Sequence, residues 1–146
     1  MTYEIPPRIT PDSDSGYLDE LTKAIFRAGF SWSVVRDRWE NFRRSFDAFD
    51  LDSVASYGDE ELERLSNDSG IVRNRRKIAA TVDNARTMIS LIDEYDSFHG
   101  YLRSLDHLGY FERVKELTGQ FAGLGRTGAF VFLHGVNEET PSWHDR

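Results

Sequence analysis

Apolar residues recur at intervals of three and four along most of the chain, the spacing that gathers them on one face of an α-helix. Leu18, Leu21, Ile25 and Ala28 form the first such face. The Pro/Asp/Ser/Gly-rich stretch at residues 10–16 supplies N-cap residues before it, and Gly29 ends it. Trp32, Val35, Trp39, Phe42 and Phe46 continue the pattern with rings, which predicts one amphipathic helix over residues 31–46 with Ser31 as its N-cap. Residues 50–57 and 59–67 read as two short helices, each opened by an aspartate. After a turn at residues 68–70, Ile71, Ile78, Val82, Ala85, Ile89 and Ile92 mark one long helix. Residues 95–108 carry Phe98, Tyr101, Leu102, Leu105 and Leu108 on one face, and Gly109 breaks that helix. A short apolar-sided segment follows at 111–117, and residues 126–135 make the last helix. No alternating strand pattern exceeds a few residues. The expected fold class is therefore all-α: a single helical domain over residues 1–146, with a loop at 1–16, a helical body at 17–136 and a loose polar tail at 137–146.

Composition narrows the class. A chain of 146 residues can bury a real core. Ten phenylalanines, six tyrosines and three tryptophans make that core rich in rings. The absence of cysteine excludes disulfides and thiolate metal sites within this sequence. Residues 1–10 have no apolar run of the signal-peptide kind, and no run reaches the length of a membrane span. A soluble, cytoplasmic, monomeric protein without membrane contact is expected. The formal net charge of -7 repels nucleic acid in bulk, so a nucleic-acid partner requires a local basic face.

Three segments supply candidate chemistry. The first is the Gly-rich stretch ending at Ala129, with Gly123, Gly125, Arg126 and Thr127. Apolar–Gly–apolar–Gly before a helix is the hairpin of a helix-hairpin-helix motif. Its glycines permit a tight turn, and the positive end of the following helix faces phosphate without reading bases. An ordinary Gly-rich turn would look the same. The second is the cation run Arg73, Arg75, Arg76 and Lys77 on an acidic chain. It reads as a DNA-facing patch or as a solvated helix start, although cations are unfavourable at a helix N-terminus. The third is the corner formed by Ala28, Gly29 and Phe30, with Trp32 behind it. An aromatic corner wedges into a base stack, and a Trp stacks on an extruded base. Two core aromatics are the plainer reading.

In order and spacing, these segments resemble the DNA-3-methyladenine glycosylase I family, helix-hairpin-helix enzymes of base-excision repair. The matching stretches are residues 28–32 (Ala-Gly-Phe-Ser-Trp), 39–44, 46–50, 65–71, 73–78 (Arg-Asn-Arg-Arg-Lys-Ile) and 84–86. The resemblance is good over about half the chain and extends more weakly through the hairpin to Asn137. It implies hydrolysis of the N-glycosidic bond of an alkylated base flipped from double-stranded DNA. It places Trp32, Ala24 and Phe26 at the base pocket, and Ala28, Gly29 and Phe30 near the DNA gap. Gly123, Gly125, Arg126 and Thr127 would hold the backbone, with Arg73, Arg75, Arg76 and Lys77 facing DNA.

The departures lie at the chemistry. The family reads the damaged base with a carboxylate four residues before the alanine of the corner motif, where this chain has Ala24. Glu20, one turn earlier on the same face and next to Asp19, is the replacement candidate. The family's cysteine-containing opening, its Tyr-His pair and its final Val-Asn-Asp-His zinc ligands are not matched. Here Val136, Asn137, Glu138 and Glu139 stand in the last of these places. No zinc site and no cofactor are expected. His99, His107, His134 and His144 lack ligand spacing, and His134 reads as a hydrogen-bonded core residue. A catalytically inactive DNA- or protein-binding module on the same fold, and a small-molecule binder using the aromatic pocket, remain the alternatives.

Overall fold

Ser13 starts the first helix: its Oγ accepts the Gly16 N–H at 3.1 Å. From there the computed structural model, which describes residues 7–146, runs almost entirely through helices. These are α1 (Asp14–Arg27), α2 (Trp32–Asp37), α3 (Trp39–Ser45), α4 (Leu51–Ala55), α5 (Asp59–Ser66), α6 (Arg75–Tyr95), α7 (Phe98–Ser104), α8 (Tyr110–Gln120) and α9 (Arg126–Gly135). Short 3-10 turns occur at Asp47–Phe49 and Trp143–Asp145. No strand occurs among the described residues. The first six residues of the expected 1–16 loop lie outside them.

The long helix α6 is the axis of the fold. It packs against α1, α4, α5 and α7, while α9 packs on α1 and α8. One apolar cluster joins these helices. One end of it is a ladder of stacked rings: Trp39 lies 4.7 Å from Phe42 and 5.3 Å from Phe49, and Phe46 lies 5.3 Å from Phe49. The other end centres on Phe98, which contacts Tyr17, Tyr101, Phe121 and Phe132. From Val35 to Phe46 the aromatic stripe read from sequence is therefore part of the core, with Trp32 half-buried at its edge.

Several elements differ from the sequence pattern. The predicted helix 31–46 is two helices, broken at Arg38 (φ -107°, ψ 4°). Arg38 still donates its N–H to Val35 and accepts from Phe42, so the stripe keeps its phase through the break. The long helix begins at Arg75 rather than Ile71, because the Asn74 side chain caps it through the Lys77 N–H at 3.1 Å. Asp96 in the left-handed region ends α6, and Ser97 caps a short α7 in place of the helix expected over 95–108. Helix α5 opens at Asp59 as expected, with Gly58 as its cap and the Glu61 carboxylate accepting the Gly58 N–H. Helix α8 extends beyond the predicted 111–117 at both ends.

Asp47, Ala48 and Phe49 all have positive φ, at 53°, 56° and 57°. Each left-handed non-glycine residue costs roughly 1–2 kcal/mol. Phe49, fully buried under Trp39, and the Tyr57 hydroxyl, which donates to the Asp47 carboxylate, hold the turn.

The tail is folded back rather than loose. Trp143 meets Phe130 edge-on at 5.3 Å, and Glu138 is buried beside Arg103. Arg8 joins the two ends of the chain. Its guanidinium donates to Asn137 Oδ1, His134 Nδ1, Thr140 Oγ1 and the Glu138 carbonyl. The Ile9 N–H reaches the Gly135 carbonyl at 3.1 Å beside it.

Candidate nucleic-acid interface and base cleft

The hairpin between α8 and α9 is built from inside out. Phe121 and Leu124 are buried anchors. Gly123 has φ +75°, and a Cβ there would lie 3.3 Å from Ile25 Cγ2 and 3.4 Å from Ala80 Cβ. The dihedral favours glycine, and any Cβ there would also press on α1 and α6. From below, the buried Asn84 side chain holds Ala122 by donating to its carbonyl and accepting its N–H. Gly125 then caps α9 without a side chain. The first-turn N–H groups at Arg126, Thr127 and Gly128 are thus left to an outside acceptor, with the positive end of the helix behind them.

The corner after α1 faces this hairpin. Gly29, at φ +84°, turns the chain, the Phe30 N–H returns to the Arg27 carbonyl at 3.0 Å, and Ser31 caps α2. The turn leaves Phe30 44% exposed and Val34 43% exposed, an apolar tip on a polar surface. Between corner and hairpin lies a cleft of about 270 Å³. Its walls are Ala24 and Arg27 of α1, Ala28, Gly29 and Phe30 of the corner, and Thr127, Gly128 and Val131 of α9.

This arrangement unites several residues singled out from sequence. Ala24, Ala28, Gly29, Phe30 and Thr127 share the cleft. Gly123, Arg76 and Lys77 border a shallow opening beside the hairpin. Arg126 lies over the exposed Phe111 ring at 5.7 Å. Other residues sit elsewhere. Phe26 is fully buried against Phe42 in the core. Trp32 is half-buried behind the cleft wall, with the Arg27 guanidinium 4.9 Å over its ring. Glu20 pairs with Lys23 at 2.9 Å and does not line the cleft. Among the described residues, no carboxylate does.

The cation run splits by role. Arg73 and Arg76 are exposed. Arg75 is exposed too but pairs with Glu63 at 3.0 Å. Lys77 turns inward: its ammonium donates to the Phe26 and Ala28 carbonyls at the end of α1 and lies 5.1 Å over the Phe30 ring. Burial pushes its pKa down. The carbonyls at the end of α1 carry that helix's partial negative charge, which explains a cation there despite the start of α6.

Three residues in this architecture were given no role from sequence, although Arg27 opens the third candidate segment and Asn84 a matching stretch. Asn84 breaks the apolar face of α6 and lies in the matching stretch 84–86, but neither signal gave it a role. Arg27 is only 5% exposed, at helical spacing from the buried Ala24. Arg8 lies in a loop with no distinguishing pattern.

The structure also tests the zinc that the family resemblance implies. The region of Val136–Glu139 is held by two guanidinium groups, Arg8 on the Glu138 carbonyl and Arg103 on its carboxylate. A divalent cation would face those charges, and the ligand-type atoms there, the Glu138 carboxylate and His134 Nδ1, already accept from guanidinium donors. The described residues of this region do not fit a zinc ion.

Comparison with known proteins agrees with this geometry. A family model described as methyladenine glycosylase matches residues 10–120. DNA-3-methyladenine glycosylase 1 of Escherichia coli (strain K12) is 37% identical over 95 residues, which cover 64% of this chain and 51% of that protein. The chain thus spans about half the length of the curated relatives it matches. A crystal structure of 3-methyladenine DNA glycosylase I superposes with a TM-score of 0.77 at 25% identity, covering 88% of this chain and 81% of that one. The Staphylococcus aureus 3-methyladenine DNA glycosylase I shares the fold, with a TM-score of 0.79 at 22% identity over 92% of this chain and 81% of that one. With its hairpin, corner and cleft in place, the chain belongs to the methyladenine glycosylase family.

Proposed function

We propose that this protein is a DNA glycosylase of base-excision repair, acting on an altered base extruded from duplex DNA. The observation that carries the reading is the cleft itself: it opens between an apolar corner and a hairpin suited to phosphate. Phe30 fills the gap left in the duplex, Gly123–Thr127 with Arg73 and Arg76 grip the backbone, and the extruded base enters the cleft. The cleft is small for a drug-sized ligand and suits a single base. A water molecule adds to C1′ of the sugar as the bond to the base breaks. The base leaves with the bonding electron pair, and the water proton is released or transferred to the base.

The test is direct. Purified protein is incubated with alkylated duplex DNA, and released bases are separated by chromatography. In parallel, binding to a duplex with an abasic-site analogue is followed by fluorescence anisotropy. Base release with preference for the abasic duplex is expected. Neither release nor lesion preference would end this reading.

A second reading is a binding module without turnover, favoured by the lack of a carboxylate among the described cleft residues. It gives salt-dependent duplex binding with no released base.

A further inference from the structure

We propose that Arg113, Arg126, Arg146 and the Tyr110 hydroxyl form a second phosphate site, outside the base cleft, for a phosphodiester of the strand that the hairpin holds. This rests on the DNA reading above and extends its contact from the hairpin to α8 and the tail.

Unpartnered polar atoms gather at this place. Among the described residues, five buried side-chain polar atoms lack a hydrogen-bond partner, and three of them are the Tyr110 hydroxyl, Arg113 Nε and Arg146 Nε. A buried polar group is nearly always satisfied, and leaving one unmade costs stability. Three together call for acceptors from outside the chain. Two of the three belong to guanidinium groups, which only donate.

The groups are neighbours drawn from three elements. Tyr110 and Arg113 lie in the first turn of α8, Arg126 heads α9, and Arg146 follows the 3-10 turn of the tail. The Arg126 guanidinium donates to the Arg146 carbonyl at 2.5 Å and lies 5.7 Å over Phe111. Phe111 in turn meets Tyr110 edge-on at 5.2 Å. Arg146 lies 3.6 Å over Trp143 and donates to its carbonyl at 2.6 Å. All three arginine charges act on the Tyr110 hydroxyl. None of the three pairs with a carboxylate among the described residues.

Clustered cations repel one another unless an anion is supplied, and the planar guanidinium fork matches phosphate oxygens. The site is open to solvent, since Tyr110 and Arg113 line a cleft of about 650 Å³. Two of the acids in that cleft, Asp106 and Glu138, are taken up by Arg103, and the third, Glu139, is exposed.

Arg126 joins this site to the hairpin. Its N–H belongs to the uncapped first turn of α9, while its side chain reaches Phe111 and Arg146. A strand held at the hairpin presents a further charge about every 3.4 Å of helix axis. The next phosphates of that strand are therefore the anions brought to Arg113 and Arg146.

Two variants of the full chain test this, Arg113→Gln and Tyr110→Phe. Neither removes a side-chain hydrogen bond or ion pair within the described residues, so melting temperatures without ligand should not fall. Affinity for a duplex with an abasic-site analogue is measured by anisotropy over a range of salt. Arg113→Gln should lower it about tenfold at low salt, the scale of one charge-assisted hydrogen bond. The slope of log affinity against log salt should fall by about 0.9. Tyr110→Phe should weaken binding and leave the slope unchanged. Uncharged methylphosphonates, placed one at a time in the lesion strand, locate the contact. Wild type should lose affinity at a position where Arg113→Gln does not.

A parallel arm follows the melting temperature in inorganic phosphate without DNA. Stabilisation by phosphate that is lost in Arg113→Gln, with duplex binding unchanged, would assign the site to free phosphate compounds and overturn the DNA contact. An unchanged slope and an unchanged phosphate response in a folded Arg113→Gln variant would overturn the site altogether. A wild-type chain that binds no duplex ends the DNA reading itself, an outcome distinct from equal binding by wild type and variant.

Discussion

The amide of Asn84 makes a two-way hydrogen-bonded clasp with the backbone of Ala122, donating to its carbonyl at 3.0 Å and accepting its N–H at 2.8 Å. The two bonds fix the amide orientation and bolt the hairpin to the central helix. Asn84→Ala removes both of these hydrogen bonds, which are partly buried. It is expected to cost about 1–3 kcal/mol in urea unfolding. On the proposed function, duplex affinity should fall with it, because the hairpin loses its foundation.

Much of the fold was legible because its signals are local. Helix α9 occurs where the Gly-rich turn and the apolar run place it, and Ser31 and Ser13 act as caps through side-chain oxygens that sequence identifies. The break at Arg38 was not legible: one residue with ψ near zero barely shifts the phase, so the aromatic stripe runs on through it. The left-handed turn at residues 47–49 contains no glycine or asparagine and is held by Phe49 and Tyr57, contacts that form only in the folded chain. The cleft was partly legible, through the corner and hairpin. Arg27 was not, since a sequence pattern does not tell a buried arginine from a solvated one.

The basic run makes a sharp comparison possible. Arg73→Ala and Arg76→Ala should leave thermal stability unchanged while each lowers duplex affinity. If each contacts one phosphate, each should reduce the slope of log affinity against log salt by roughly 1. Lys77→Met should behave differently, lowering the melting temperature by removing the donor to the Phe26 and Ala28 carbonyls. Melting curves beside anisotropy titrations at several salt concentrations separate the two classes.

Phe30 is exposed and contributes little to the core. Phe30→Ala should therefore leave unfolding unchanged and weaken binding to an abasic duplex more than to an intact one. A wedge inserted at the gap predicts a loss of about 1–3 kcal/mol, the range for base–aromatic stacking. Equal weakening on both duplexes would assign Phe30 to general backbone contact instead.

The joint between the chain ends rests on Arg8. Arg8→Ala removes donors to four acceptors and should lower stability by about 1–3 kcal/mol. Treatment of the wild-type protein with a strong chelator should leave its melting temperature unchanged, since guanidinium groups stand where the resemblance implies zinc.

His134 makes that joint sensitive to acid. Burial and the neighbouring Arg8 charge hold its pKa below the ordinary histidine value. The unfolded chain therefore takes up the proton first as pH falls. The contribution of His134 is intact above about pH 6.5, the unperturbed value, and is lost as pH drops below it toward the folded-state pKa. Melting temperatures between neutral and mildly acidic pH should show this decline, and His134→Gln should flatten it.

The guanidinium joint has a chemical consequence for a protein of this family. Methylating agents that damage DNA bases also attack thiolates, the strongest nucleophiles that proteins present. A cysteine-ligated metal clip would expose such sulfurs to the reagents whose damage the family repairs. Here the ends of the chain are joined by arginine, carboxylate and backbone carbonyl, and the 146 residues contain no cysteine. The joint therefore presents no thiolate to electrophilic methyl donors or to oxidants that convert thiols to acids.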